Sequence, residues 1–176
     1  HADFLKKLHL QNLGYLDRSI VKEVVGSCLS EKNYLEGFLT VMIWGYSNDS
    51  RGPWRTKRIL DQPIAFSSIK KACNFLAEDE IELAYQALID EGPDHLGPAF
   101  ATKFLYFASS GLASIDLVIL DSLITHGLKT WGNLSINPTN ASLIQYLDYL
   151  NYIDKSSKKL GLSSENLELI IFSEIA

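Results

Sequence analysis

Lys103 and Asp121 are the two residues whose positions in the sequence suggest chemistry. Lys103 lies early in the apolar stretch that opens at Pro98, and Asp121 ends the apolar run 117–120. A charged side chain is rarely buried unless it is paired or functional. The positive N-terminal end of a helix disfavours a lysine charge, and a neutral amine is a nucleophile. We therefore interpret Lys103 as a candidate nucleophile and Asp121 as its carboxylate partner.

Asp121 also has a purely structural interpretation. The residues from Ser122 to about Lys129 have a helical pattern, and Asp is a preferred N-cap residue, worth about 1 kcal/mol. The two interpretations are compatible, because a carboxylate that caps a helix is held rigidly.

The turn at Gly97-Pro98 predicts an anion site. Pro98 suits the first turn of a helix, which we expect to run to about Ser109 and to end at Ser110-Gly111. The first N–H groups of such a helix have no partner within it and point towards an anion such as phosphate. His95, beside this turn, is a further candidate for a phosphate contact.

A dense basic cluster occupies the predicted helix 54–60 and the turn before it. Its residues are Arg51, Arg55, Lys57 and Arg58. Such a cluster is compatible with a solvated helix face. The adjacent aromatic residues Trp44, Tyr46 and Trp54 instead favour contact with phosphates and unstacked bases.

Composition bounds the remaining possibilities. The chain has 176 residues, 47% of them hydrophobic and 21% charged, which predicts a single domain over residues 1–176. A net charge of −5 argues against a protein that coats nucleic acid through bulk electrostatics. Cys28 and Cys73 form no disulfide or metal pattern, and no apolar run approaches ~18 residues. We expect a cytoplasmic protein without a membrane span, a bound metal or a cofactor.

The fold class predicted from these patterns is all-α. No alternating strand pattern exceeds four residues, so the chain should form a bundle of short helices. Asp17 is a predicted N-cap of an early helix. A long helix is expected over residues 139–159, with Gly161 ending it.

The segment Pro98-Ala99-Phe100-Ala101-Thr102-Lys103 resembles the P-G-V-G-x-K hairpin of the helix-hairpin-helix DNA glycosylases. In endonuclease III-like members an Asp follows the hairpin Lys by eighteen residues, as Asp121 follows Lys103 here. Residues 44–60 are similar to the W-G-x…R-G-P-W-R-x-x-R region of 8-oxoguanine-glycosylase-like bacterial proteins. The resemblance covers about residues 38–128 and implies two helical lobes with a helix-hairpin-helix motif and a cleft between the lobes.

The resemblance also implies an activity, that of a bifunctional DNA glycosylase and AP lyase. Lys103 would attack the sugar C1′ of a flipped, damaged nucleotide, with 8-oxoguanine as the implied base, and Asp121 would stabilise the charge on the sugar. The implied partner is double-stranded DNA bound by a monomer, in base-excision repair or in antiviral defence against foreign DNA. Tyr46, Asn48 or Arg51 would fill the gap left by the flipped base. The implied DNA-binding residues are Arg51, Trp54, Arg55, Ala99, Ala101 and Thr102. The implied base-binding residues are Trp44, Phe100 and Phe172.

Two other interpretations remain open on the sequence. The acidic balance, and alanines at positions 99 and 101 where the family hairpin has glycines, favour a helix-hairpin-helix module that binds nucleic acid or protein without chemistry. A purely structural helical scaffold is the third. The retained Lys103 and Asp121 favour the enzyme.

Overall fold

The regular structure is helical, which confirms the predicted all-α class. The computed structural model describes residues 3, 4, 6, 8, 16–46, 49–113, 117–132 and 134–175. No strand occurs among these residues, and those from 16 to 175 form nine helices. In chain order these are α1 Arg18–Ser30, α2 Tyr34–Tyr46, α3 Gly52–Leu60, α4 Ile64–Ala77, α5 Ile81–Ile89, α6 Pro98–Leu112, α7 Ser122–Trp131, α8 Leu143–Leu160 and α9 Ser164–Ile175. None of them is long and apolar enough to cross a membrane.

Local capping signals account for several helix ends. Asp17 accepts a hydrogen bond from Ile20 N at 2.9 Å, which confirms it as the N-cap of α1. Gly161 ends α8 in the left-handed region with φ of 67°, also as predicted. The start of α8 differs from the prediction: a capping box between Ser142 and Gln145 begins the helix at Leu143.

The end of α6 also differs from the prediction. Ser110 and Gly111 do not terminate the helix, which continues to Leu112. A Cβ placed on Gly111 would lie 3.6 Å from the Cα of Gly26 in α1. A Cβ here would make only an ordinary van der Waals contact, so the glycine is tolerated inside the helix and does not act as a helix stop.

Helix α6 lies at the centre of the molecule. It packs against α1, α2, α4 and α5, and every residue from 101 to 109 is buried. Its sequence over these positions is mostly aromatic, aliphatic or small, so burial on all sides is favourable. Lys103 is the only charged residue in this buried stretch.

Helices α7, α8 and α9 form a second packed group. A buried segment without regular secondary structure, residues 117–120, leads from the α6 side of the molecule into this group. The two groups also meet where the ring of Tyr85 in α5 stacks on Tyr146 in α8, with centroids 5.0 Å apart. Asp121 directly follows segment 117–120, so it lies where the two helix groups adjoin.

Candidate active site and nucleic-acid interface

Lys103 and Asp121 are in direct contact. The Nζ of Lys103 lies 2.6 Å from Oδ2 of Asp121, and the two side chains are 9% and 15% exposed. One charge comes from the central helix α6 and the other from the start of α7. The structure thus brings together the two residues that the sequence selected, in a nearly enclosed ion pair.

The two carboxylate oxygens of Asp121 have different partners: one caps α7 and the other contacts Lys103. Oδ1 accepts hydrogen bonds from Leu123 N at 3.1 Å and Ile124 N at 3.2 Å, which confirms the N-cap prediction. Oδ2 remains for Lys103. Burial raises the pKa of this carboxyl, but the Lys103 charge and the donated hydrogen bonds together hold the pKa below its ordinary value. The carboxylate is therefore kept ionised and rigid.

Aromatic rings enclose the lysine on one side. The ring of Phe100 lies 5.7 Å from Lys103 Nζ and stacks on Tyr46 with a centroid distance of 4.2 Å. A Cβ placed on Gly45 would lie 3.2 Å from Lys103 Cδ and 2.7 Å from Phe100 Cε1. The sequence did not single out Gly45, because its role depends on the approach of another helix.

The other two predicted base-binding rings, Trp44 and Phe172, lie on α2 and α9. Trp44 is half-buried and packs edge-on against Phe107 of α6, with centroids 4.9 Å apart. Phe172 is half-buried on α9, in the second helix group. Phe100 therefore lies on the central helix and Trp44 packs against it, whereas Phe172 lies on α9.

A second charged cluster, not anticipated from the sequence, joins α1 to α9. Arg18 donates to both carboxylate oxygens of Glu168, at 2.7 and 3.0 Å, and Lys22 pairs with Glu165 at 2.8 Å. The Tyr106 hydroxyl of α6 donates to Glu165. Glu168 is fully buried, and this burial raises its pKa although Arg18 opposes the shift. Local sequence patterns do not predict these ion pairs, because Arg18 and Glu168 are 150 residues apart.

The predicted basic residues lie on and beside α3. Arg51 is exposed and paired with Asp49 at 2.8 Å. Trp54 is 57% exposed, and the Arg58 guanidinium lies 4.8 Å from its ring centroid. Arg55 is partly exposed, and neither Arg55 nor Arg58 forms a salt bridge with a described residue. These two guanidinium groups remain available to an external anion.

The basic helix and the start of α6 line one cavity of about 460 Å³. The residues that line it are Trp54, Arg55, Arg58, His95, Leu96, Gly97 and Thr139. The cavity thus combines two arginines, a histidine and the N-terminal end of a helix, all of which favour a bound anion. The two elements that the sequence assigned separately to phosphate binding meet here.

Three predicted DNA contacts lie in the first turns of α6. Ala99 is half-buried, whereas Ala101 and Thr102 are fully buried. The Ala101 N–H donates to the Gly97 carbonyl oxygen at 3.0 Å. The side chains of Ala101 and Thr102 therefore do not reach the surface, and any contact with DNA at this turn falls to the main chain before them. Asn48, a predicted gap-filling residue, lies outside the described residues.

Comparison with known families identifies the family of the chain. The family described as "Putative 8-oxoguanine DNA glycosylase OGG-like protein" matches residues 2–172. The chain belongs to this OGG-like family. No curated protein and no solved structure matches the chain. The match spans nearly the whole chain and supports a DNA glycosylase and repair theme for the protein.

Proposed function

We propose that this protein is a bifunctional DNA glycosylase and AP lyase that removes oxidised guanine from duplex DNA through a Schiff base on Lys103. One observation carries the proposal: Lys103 Nζ lies 2.6 Å from Asp121 Oδ2 in a chain of the OGG-like family. The pair supplies an amine nucleophile and a fixed negative charge at one point.

The proposed chemistry begins with a nucleotide that has left the base stack. Lys103 first gives up its ammonium proton to water. The neutral amine then attacks C1′, so that the Nζ–C1′ bond forms as the glycosidic C1′–N bond breaks. The base leaves with the bonding electron pair and takes up a proton. Asp121 stabilises the positive charge that develops on the sugar. Ring opening gives the Schiff base, and removal of a C2′ proton then breaks the C3′–O bond and nicks the strand.

The cavity beside α3 supports the proposed grip on the DNA backbone. Arg55, Arg58 and His95 line it together with the start of α6, and phosphate is the anion that a DNA-binding surface meets. The exposed ring of Trp54 offers a stacking surface at the same place. Arg51 lies on the same helix end and would contact the gap or the neighbouring phosphates.

The proposed base contacts use one aromatic ring from each of α2, α6 and α9. Phe100 is the ring that lies near the Lys103 amine, so it would stack on the nucleotide closest to the reacting C1′. Trp44 and Phe172 are the other proposed stacking surfaces. Tyr46 supports Phe100 from behind, so it would act through that ring.

Borohydride trapping on an 8-oxoguanine duplex tests the proposal. Borohydride reduces a Schiff base to a stable protein–DNA adduct, so the wild-type protein should give an adduct that Lys103→Gln abolishes. Lys158→Gln is the matched control, because Lys158 is an exposed lysine paired with Asp154 on α8, and it should trap normally. An adduct that survives Lys103→Gln would assign the nucleophile to another amine. Absence of an adduct with both 8-oxoguanine and abasic duplexes would refute the lyase.

The enclosure of Lys103 favours one alternative function. With its side chain only 9% exposed and tied to Asp121, the amine is compatible with a helix-hairpin-helix module that binds DNA without chemistry. Such a module would bind the same duplexes with a salt-dependent affinity, but it would neither release a base nor form an adduct. Measuring binding and trapping on one duplex separates the two functions.

A further inference from the structure

The four residues before Asp121 form a buried irregular segment held by side-chain hydroxyl groups. Residues 117–120 are each at most 1% exposed and belong to no helix. Buried N–H and C=O groups outside regular structure need other partners. Those partners are four side-chain hydroxyl groups. Ser109 Oγ accepts from Leu117 N at 3.4 Å, and Thr102 Oγ1 accepts from Leu120 N at 3.1 Å. Tyr146 OH donates to Val118 O at 3.3 Å, and Tyr149 OH donates to Ile119 O at 2.7 Å.

Thr102 makes the contact closest to the candidate site. Its Oγ1 accepts from Leu120 N and also lies 3.3 Å from the carbonyl oxygens of Leu120 and Ala99. Thr102 immediately precedes Lys103, and Leu120 immediately precedes Asp121. Both residues of the Thr102–Leu120 contact are therefore sequence neighbours of the Lys103–Asp121 ion pair.

We infer that Thr102 is a positioning residue: its hydroxyl fixes the register at which segment 117–120 presents Asp121 to Lys103. This inference rests on the function proposed above. Thr102 is fully buried, so its hydroxyl does not reach DNA and acts only through Asp121. The short Tyr149 contact holds the preceding residue of the same segment, so the Thr102 hydroxyl is the contact that holds the last peptide group before Asp121.

Three variants separate positioning from general packing. Thr102→Val keeps the shape but removes the hydroxyl, Thr102→Ser keeps the hydroxyl, and Tyr85→Phe removes a buried hydroxyl that donates elsewhere, to Ala141 O at 2.7 Å. The readouts are the single-turnover rate of borohydride trapping at saturating 8-oxoguanine duplex, the duplex Kd and the pKa of Asp121 measured by carboxyl NMR. The other titratable groups that interact electrostatically with Asp121, Glu168 of α9 and Tyr149 of α8, are unchanged in all variants.

The expected result is specific to the hydroxyl. Thr102→Val slows trapping on the order of 10²-fold, as expected for a reacting group displaced by ~1 Å, without a matching change in Kd. The same variant raises the Asp121 pKa, because the carboxylate loses part of its contact with Lys103. Thr102→Ser restores both values, and Tyr85→Phe changes neither.

Other outcomes overturn the inference. A wild-type rate and Asp121 pKa in Thr102→Val would show that the hydroxyl only fills space, and equal slowing by Tyr85→Phe would show a general packing effect. If Thr102→Val does not fold, Thr102→Ala removes the same hydroxyl with less bulk and should show the same pKa rise. If the wild-type protein traps no DNA, the proposed function fails, whereas the Asp121 pKa still decides whether Thr102 positions the carboxylate.

Discussion

The side-chain amide of Gln62 forms hydrogen bonds with both main-chain polar groups of Asp94. Its Nε2 donates to the Asp94 carbonyl oxygen at 3.0 Å, and its Oε1 accepts from the Asp94 N–H at 2.8 Å. The same Nε2 also donates to the Arg58 carbonyl oxygen at 2.9 Å. Gln62 therefore ties the end of the basic helix α3 to the turn that precedes α6, the two walls of the cation-lined cavity.

Replacing Gln62 with Met should weaken DNA binding more than it weakens the fold. Met has a similar volume but neither donates nor accepts strongly, so the turn loses its fixed distance from α3. The three hydrogen bonds are exposed, so water can replace them in the variant and the Tm should fall by only a few degrees. Duplex titration by fluorescence anisotropy checks the affinity. Gln145→Met, which removes an amide from the capping box of α8, is the matched control and should bind DNA normally.

Two substitutions of Asp121 should distinguish the contribution of its helix-capping oxygen from that of its charge. Asp121→Asn keeps an oxygen that caps α7, whereas Asp121→Ala loses the cap as well as the charge, so we expect Ala to be less stable than Asn by about 1 kcal/mol. Both variants leave the buried Lys103 charge without its carboxylate. Removal of one group that stabilises transition-state charge costs on the order of 10²–10³ in rate, so both should trap poorly. Urea unfolding and trapping rates measure the two effects.

Two results would contradict this division of roles. Equal stability of Asp121→Asn and Asp121→Ala would mean that the hydrogen bonds from Leu123 and Ile124 contribute nothing. A wild-type trapping rate in Asp121→Asn would mean that the negative charge is not required.

Sequence reasoning recovers the site where its signals are local. Lys103 and Asp121 are predictable because each charge interrupts an apolar stretch, and Asp17 and Gly161 are predictable because capping depends on neighbouring residues. Gly111 misleads because a Ser-Gly pair is a common stop signal, whereas α6 continues through it to Leu112.

The second charged cluster shows the other limit of sequence reasoning. Arg18 and Glu168 each fit the exposed face of an ordinary helix, and only the packing of α9 against the α1 side makes Glu168 a buried partner. Thr102 is similar, because a threonine in a helix gives no sign that its hydroxyl serves a peptide group eighteen residues later.

The stability of the fold should depend on pH through Asp121 with a definite sign. Its pKa in the folded protein lies below the ordinary value of 3.8, so the unfolded chain binds the proton more readily. The stabilising contribution is therefore complete above pH 3.8 and is lost as the pH falls through the folded pKa. The difference in unfolding free energy between wild-type protein and Asp121→Asn should be constant near neutral pH and should shrink below pH 3.8. Urea titrations at a series of pH values measure this difference, and a difference that grows in acid would contradict the assignment.

Gly45 should be required for the geometry of Lys103, and a second helical glycine provides the comparison. A Cβ at Gly45 would lie 2.7 Å from Phe100 Cε1, so the ring must move, although its stacking on Tyr46 leaves it little room. The same Cβ would lie 3.2 Å from Lys103 Cδ. Gly45→Ala should therefore slow Schiff-base trapping.

Gly26→Ala is the matched control, because a Cβ there meets nothing within 4 Å. Alanine should stabilise α1 at this position by about 0.5–1 kcal/mol, with trapping unchanged. Both substitutions make the same chemical change within a helix, so a rate loss confined to Gly45→Ala must come from the space beside Phe100 and Lys103. A wild-type trapping rate in Gly45→Ala would show instead that the ring adjusts without moving the amine, and the close approach of α2 to α6 would then have no role in placing the nucleophile.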